Sequence, residues 1–185
     1  DKGEKYTIIP KASRPLSDLP TNFWVQLTVG LFAWLISSAV FAFRPRETSA
    51  KFLLLSGLST LIFAPFAAVY TTRELAMPEL MFQWLRDGTF LGGSVFTASF
   101  VALLLCYPRR IAPNWIGPVI VAIYVIWFIL QQNDVFSSMT FARRFLVMVG
   151  IFSTFILAGF HWYLTRKDPV ARAALQCFLI SWMLG

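Results

Sequence analysis

The chain has 185 residues, of which 57% are hydrophobic, 17% are aromatic and only 14% are charged. Soluble domains carry about 25% charged residues, so this chain has too few to cover a soluble globule, and its mean hydropathy of +0.65 agrees. The net charge of +7 does not indicate a nucleic-acid partner, because the basic residues flank apolar runs and form no patch.

Five segments of the chain contain no Asp, Glu, Lys or Arg. Each holds about 20 residues, and a helix of that length matches the roughly 30 Å hydrocarbon thickness of a bilayer. Five uncharged runs in series are not typical of a soluble helical core. The sequence therefore predicts an all-α fold, a polytopic transmembrane helical bundle with the lipid bilayer as its partner. The uncharged segments are residues 23–43, 52–72, 88–108, 111–133 and 145–165.

Residues 1–21 are polar, rich in proline, and precede the first apolar run. They include a short β-like stretch at residues 5–9. We expect an extracytoplasmic tail, or the end of a preceding domain followed by a stiff linker. A helix should begin just after Pro20, with Thr21 or Asn22 as its N-cap.

Residues 22–185 form the predicted transmembrane domain, with six helical spans. Pro65 should kink the second span, because proline removes a backbone donor that neighbouring groups must replace. Residues 71–88, between the second and third spans, are predicted to form a loop that contains an amphipathic stretch. Asp168 is the expected N-cap of the last span, with Pro169 in its first turn. The spans are predicted at residues 23–43, 52–70, 88–107, 115–131, 145–164 and 171–185.

Lys and Arg residues are distributed unevenly between the loops, which predicts the orientation of the bundle. The loops after spans one, three and five hold Arg44, Arg46, Lys51, Arg109, Arg110, Arg166, Lys167 and Arg172. The loops after spans two and four hold only Arg73, Arg86, Arg143 and Arg144. The positive-inside rule places the richer set in the cytoplasm and the N-terminus outside. The basic residues of the tail are not counted, because a folded domain upstream would be exported regardless of its charge.

Both ends of the chain look like cuts in a longer polypeptide. No signal-peptide pattern precedes Asp1, and Gly185 stops inside an apolar run. With the N-terminus outside, a seventh span would be needed to return the chain to the cytoplasm. We therefore expect six spans of seven.

Small residues recur at four-residue spacing on the second and third spans. Gly88 and Gly92 form a GxxxG motif followed by Gly93, and Ala64 and Ala68 repeat the spacing on the second span. Such spacing is typical of helices that approach closely, although close backbone approach to a ligand would also need it. Together with Pro65, these residues are our candidates for helix packing or a packing switch.

Trp84, Arg86 and Asp87 lie just before the third uncharged run. A carboxylate at membrane depth faces water, a partner or a ligand, because leaving it unpaired in lipid is costly. One interpretation is a solvated ion pair at the helix end. The other is that the three residues line an outward-facing site for an unknown small ligand.

His161 is the only histidine and lies among aromatic residues near one end of the fifth span. A lone histidine without further ligands at suitable spacing makes no metal site, and we predict no metal and no cofactor. One interpretation is an interfacial histidine within an aromatic belt. The other is a pH-sensitive group, because imidazole titrates near neutral pH.

Motifs of catalysis are absent from the sequence, which contains no HExxH, no GxSxG and no phosphate-binding glycine loop. The predicted spans also contain no pair of acidic residues. This argues against an intramembrane protease, a proton-coupled transporter and a pore lined by charged rings. We predict no catalytic residue in this segment.

Five short segments carry a resemblance to a known family: LPTNFW (19–24), AFRPR (42–46), YTTREL (70–75), YPRR (107–110) and KDPVAR (167–172). Together they resemble the N-terminal multi-span, seven-transmembrane-like sensor region of certain bacterial sensor histidine kinases. In that family an extracytoplasmic domain, PDZ-like in some members, precedes the spans and a kinase core follows in the cytoplasm. The chain lacks the phosphoacceptor helix and the ATP-binding domain, so the resemblance assigns kinase activity to no residue here.

The resemblance implies a multi-pass protein of the bacterial inner membrane. It would act as the sensing and relay region of a two-component receptor, homodimeric through the full-length protein. Its stimulus would be a small ligand or a change in the extracytoplasmic domain. A transporter or channel component, and a structural subunit of a membrane complex, are the alternatives.

Overall fold

The computed structural model of the protein describes residues 19–71, 78–133, 135–136 and 138–184. The expected tail lies outside these residues up to residue 18, and so does its β-like stretch. The described residues form six α-helices and no strand, which confirms the predicted all-helical fold. The helices are α1 (Thr21–Phe43), α2 (Thr48–Thr71), α3 (Glu79–Cys106), α4 (Ile116–Gln132), α5 (Met139–Leu164) and α6 (Pro169–Leu184).

Among the described residues, four helices are long and apolar enough to cross a membrane: α1, α3, residues Thr48–Val69 of α2 and residues Phe145–Leu164 of α5. In the described chain α4 and α6 are shorter, with 17 and 16 residues. Large apolar side chains cover much of the outer surface, and Phe32 on α1 and Ile156 on α5 are 60% and 70% exposed. Extended exposed apolar surface marks a contact with a membrane or with other proteins. The length, composition and surface of these helices indicate a membrane protein.

The helix α3 begins well before the predicted third span. It starts at Glu79, directly after Pro78, and continues for 28 residues. The prediction of a loop up to residue 88 was therefore wrong. The amphipathic stretch continues the helix, and Leu85 buries its side chain against the bundle while Leu80, Met81 and Trp84 remain exposed.

The sequence predicted the N-cap residues of α1 and α6, and the structure bears out one of the two predictions. The predicted cap of α1 at Thr21 or Asn22 was wrong, because Pro20 occupies the N-cap position and no side chain caps the helix. The predicted cap of α6 is confirmed. Oδ1 of Asp168 accepts hydrogen bonds from the backbone N–H groups of Val170 and Ala171, both at 3.1 Å.

The helix α3 is the centre of the bundle, and it packs against α2, α4 and α5. Every residue from Ala98 to Leu104 is buried, which requires neighbours on all sides of the helix. Ala102 and Leu103 pack against Phe52 of α2. On other faces, Ala98 contacts α4 and α5, and Leu104 contacts α6.

Among the described residues, α1 packs only against α2, and two glycines allow the contact. A Cβ on Gly30 would lie 3.0 Å from Cα of Leu61, and one on Gly57 would collide with Ser37. Leu61 is also the residue whose carbonyl loses its helical donor, because Pro65 has no N–H. Thus α1 packs against the turn of α2 in which Pro65 leaves the carbonyl of Leu61 without its helical donor.

We predict that Gly30→Leu lowers the free energy of unfolding by about 1–3 kcal/mol, because the added side chain has no space between the two helices. Gly159→Leu is the matched control, since nothing lies within 4 Å of a Cβ at that position. The measurement is reversible unfolding in mixed detergent micelles. Equal stability of the two variants would show that the α1–α2 contact does not depend on this glycine.

Candidate functional site

Trp84, Arg86 and Asp87 lie in the N-terminal third of α3. Nε of Arg86 donates to Oδ1 of Asp87 at 2.9 Å, and both side chains are about one-third exposed, at 34% and 32%. Trp84 is 72% exposed. The structure therefore joins the two charged residues in an ion pair and leaves the indole at the surface. A partly exposed pair of this kind contributes about 0–1 kcal/mol.

The α2–α3 contact depends on two glycines of α3. A Cβ on Gly92 would lie 2.6 Å from Cβ of Phe63, and one on Gly88 would collide with the ring of Phe66. Because glycine has no side chain, Gly88 and Gly92 leave space for Phe66 and Phe63 of α2. This is the close approach that GxxxG spacing permits between membrane helices.

The remaining small residues of this region have different surroundings. Ala64, Pro65 and Ala68 are buried within α2. Gly93 follows Gly92 directly in sequence, but no atom lies within 4 Å of the position of its Cβ. Gly93 instead lines a cavity, and it is not part of the tight contact with α2.

The cavity lies between α2, α3, α4 and α5 and has a volume of about 430 Å³. Gln131 and Tyr124 of α4 are among its lining residues and are buried, at 4% and 6% exposure. Trp84, Arg86 and Asp87 do not line it. Cavities that bind small molecules typically have about 300–1,000 Å³, so its size suits a ligand.

Sequence reasoning missed the residues of this cavity, although one signal was present. Tyr124 is the only hydroxyl-bearing side chain within α4, where the other residues up to Leu130 are apolar. A lone phenol in such a helix indicates a hydrogen-bonding role, because a buried Tyr hydroxyl usually has a partner. The shape of the cavity itself comes from packing, which no local pattern contains.

His161 is fully buried, at 0% exposure, where α5 crosses the end of α3. Its Nε2 hydrogen bonds to the carbonyl oxygen of Leu104, in the last turn of α3, and its Nδ1 has no partner among the described residues. A carbonyl can only accept, so Nε2 carries the proton and Nδ1 does not. The histidine therefore caps one of the carbonyls that a helix leaves without an internal donor at its C-terminus.

The carbonyls on either side of Leu104 have backbone donors. The N–H of Tyr107 donates to Leu103 at 2.9 Å, and the N–H of Ile111 donates to Leu105 at 2.9 Å. Thus the imidazole on α5 completes the cap that the following loop begins. The contact joins residues 57 positions apart in the chain.

Two arginines stack on aromatic rings at the turn between α5 and α6. The guanidinium carbon of Arg172 lies 4.1 Å from the ring centroid of Trp162, and that of Arg166 lies 4.7 Å from the centroid of Tyr163. Cation–π contacts of this kind contribute about 0.5–1 kcal/mol at exposed sites. They join α5 to the turn and to the first turns of α6.

The chain matches no protein-family model, no curated protein and no solved structure. Within the described ranges, no group of three His, Cys, Asp or Glu side chains could hold a metal ion. The candidate sites are therefore defined by the structure alone. They are the Arg86–Asp87 pair, the α2–α3 glycine contact, the cavity and the His161 cap.

We predict that His161→Leu lowers the free energy of unfolding by about 1–3 kcal/mol, because the carbonyl of Leu104 is left buried without a donor. His161→Gln should lose less, since its amide N–H₂ can still donate. Phe160→Leu, at an exposed neighbouring position, is the control and should change stability by less than about 0.5 kcal/mol. Equal losses for Leu and Gln would show that the imidazole acts by filling space alone.

Proposed function

We propose that the chain is the sensing and relay region of a bacterial receptor, with six spans of seven, in the inner membrane. The output domain would be a histidine kinase that follows in the cytoplasm, dimeric through the full-length protein. Three features support the proposal: the apolar helices, the loop segments that resemble sensor kinases, and the excess of basic residues in alternate loops.

The proposal depends most on α3, which contacts α2 in its first half and contacts α5 and α6 near its C-terminus. With 28 residues it extends about 42 Å, enough to cross a bilayer. Gly92 packs closely against α2, and Leu104, three turns further on, bonds to α5 and contacts α6. A shift of α3 relative to α2 would therefore reach α5 and α6 through Leu104.

The mechanism is a change between two packing arrangements of the bundle. A ligand, or a change in the extracytoplasmic domain, would favour one arrangement by acting near the Arg86–Asp87 pair. The close α2–α3 contact would then change, and α3 would carry the displacement along its length. The α5–α6 pair, held together by stacked arginines at its turn, would pass it to the last spans.

We predict that the loop after α4 is outside the cell and the loop after α3 is in the cytoplasm. The test replaces Cys106 and Cys177 with Ser and then introduces Asn133→Cys or Asn114→Cys, both at exposed positions. A membrane-impermeant maleimide should label Asn133→Cys in intact spheroplasts and Asn114→Cys only after lysis. The opposite pattern would reverse the orientation and contradict the proposed relay direction.

We predict that Gly92→Leu in the full-length protein changes signalling output by at least about fivefold, because the added side chain forces α2 and α3 apart. A difference of about 1 kcal/mol between two arrangements corresponds to this factor. Output is measured with a transcriptional reporter, and membrane levels with an epitope tag.

Gly159→Leu is the control for this experiment, because its side chain meets no other group, and it should leave the output unchanged. An unchanged output in Gly92→Leu, at normal membrane levels, would contradict a relay through the α2–α3 contact. Steady substrate flux in proteoliposomes would instead support a transporter.

A further inference from the structure

The cavity between α2, α3, α4 and α5 is open on one side, at the surface of the bundle. Its volume is about 430 Å³, within the range of about 300–1,000 Å³ that is typical of small-molecule sites. Gly93 forms part of its wall, and the absence of a side chain there keeps the space open. The cavity therefore has room for a small molecule.

The opening of the cavity lies on the surface that the bundle presents to its surroundings. Val147 and Met148 of α5 line it, and both side chains are 52% exposed. They belong to the part of α5 that is apolar enough to lie within a bilayer. A molecule could therefore enter from the membrane without first crossing water.

The walls of the cavity are apolar and uncharged, with a few hydroxyl groups. The hydroxyls of Thr89 and Thr97 donate to carbonyls of their own helix, at 2.7 and 2.9 Å. Ser94 and Tyr124 differ, because neither hydroxyl makes a hydrogen bond within the described part of the chain. Each can donate a hydrogen bond to a molecule in the cavity.

We propose that the cavity binds an uncharged, lipid-like molecule that has an apolar body and a single hydroxyl or carbonyl group. The apolar body would fill the space along Gly93, Leu146 and Val147. Its polar group would accept hydrogen bonds from Tyr124 and Ser94. A charged ligand is disfavoured, because none of the lining side chains carries a compensating charge.

The site concerns binding alone and holds whether or not the chain relays a signal. Loss of binding in a variant therefore tests the site, while the reporter assay tests the relay. The ligand would reach the cavity from the bilayer, because the opening lies beside the apolar part of α5.

The experiment measures saturable binding of radiolabelled dodecan-1-ol to the purified protein in lipid nanodiscs, with empty nanodiscs as background. Tyr124→Phe removes only the hydroxyl and should weaken binding about fivefold, the value of one neutral hydrogen bond. Gly93→Leu should abolish saturable binding because its side chain fills the cavity. Dodecane, which has no polar group, should compete at least about fivefold less well.

Gly159→Leu is the matched control and should bind dodecan-1-ol like the unmodified protein, since its added side chain lies away from the cavity. Three results would each overturn the proposal: no saturable binding above empty nanodiscs, unchanged binding in Gly93→Leu, or equal competition by dodecane and dodecan-1-ol. If Gly93→Leu does not fold, unchanged binding in both Tyr124→Phe and Ser94→Ala has the same consequence.

Discussion

The burial of Ala98–Leu104 on every side of α3 is the constraint on which the rest of the bundle depends. A helix with only one buried face can be packed by one or two neighbours, but this segment requires contacts all round. The side chains that supply them come from α2, α4, α5 and α6. The cavity lies further toward the N-terminus of α3, where α2 and α5 no longer enclose the helix completely.

Hydrogen bonding inside the bundle is largely local, because an apolar environment offers few alternative partners. Buried hydroxyls such as those of Ser59, Ser99 and Thr154 donate to carbonyls of their own helix. Bonds between helices also occur: His161 of α5 bonds to the carbonyl of Leu104 in α3, and Nε1 of Trp127 in α4 donates to the carbonyl of Ala142 in α5 at 3.3 Å. A local hydroxyl stabilises one helix, whereas this imidazole also fixes the position of α5 relative to α3.

The sequence predicted what depends on short-range chemistry. Five uncharged runs located the first five helices, and Asp168 before Pro169 located the start of α6, because a cap acts within one turn. The early start of α3 at Glu79 was missed, since a charged amphipathic stretch at a span edge suits a loop as well as a helix. The burial of His161 and the cavity beside Tyr124 could not be predicted, because both depend on residues distant in the chain.

The packed helix pairs also indicate the order in which the bundle can assemble during synthesis. All but one of the closely packed helix pairs in the described chain are consecutive, and the exception is α3 with α5. During synthesis, α1 and α2 can associate as a hairpin as soon as both have emerged, because their glycines meet without help from later helices. The last turn of α3 must wait for α5, and the ribosome therefore completes His161 before the centre of the bundle can close.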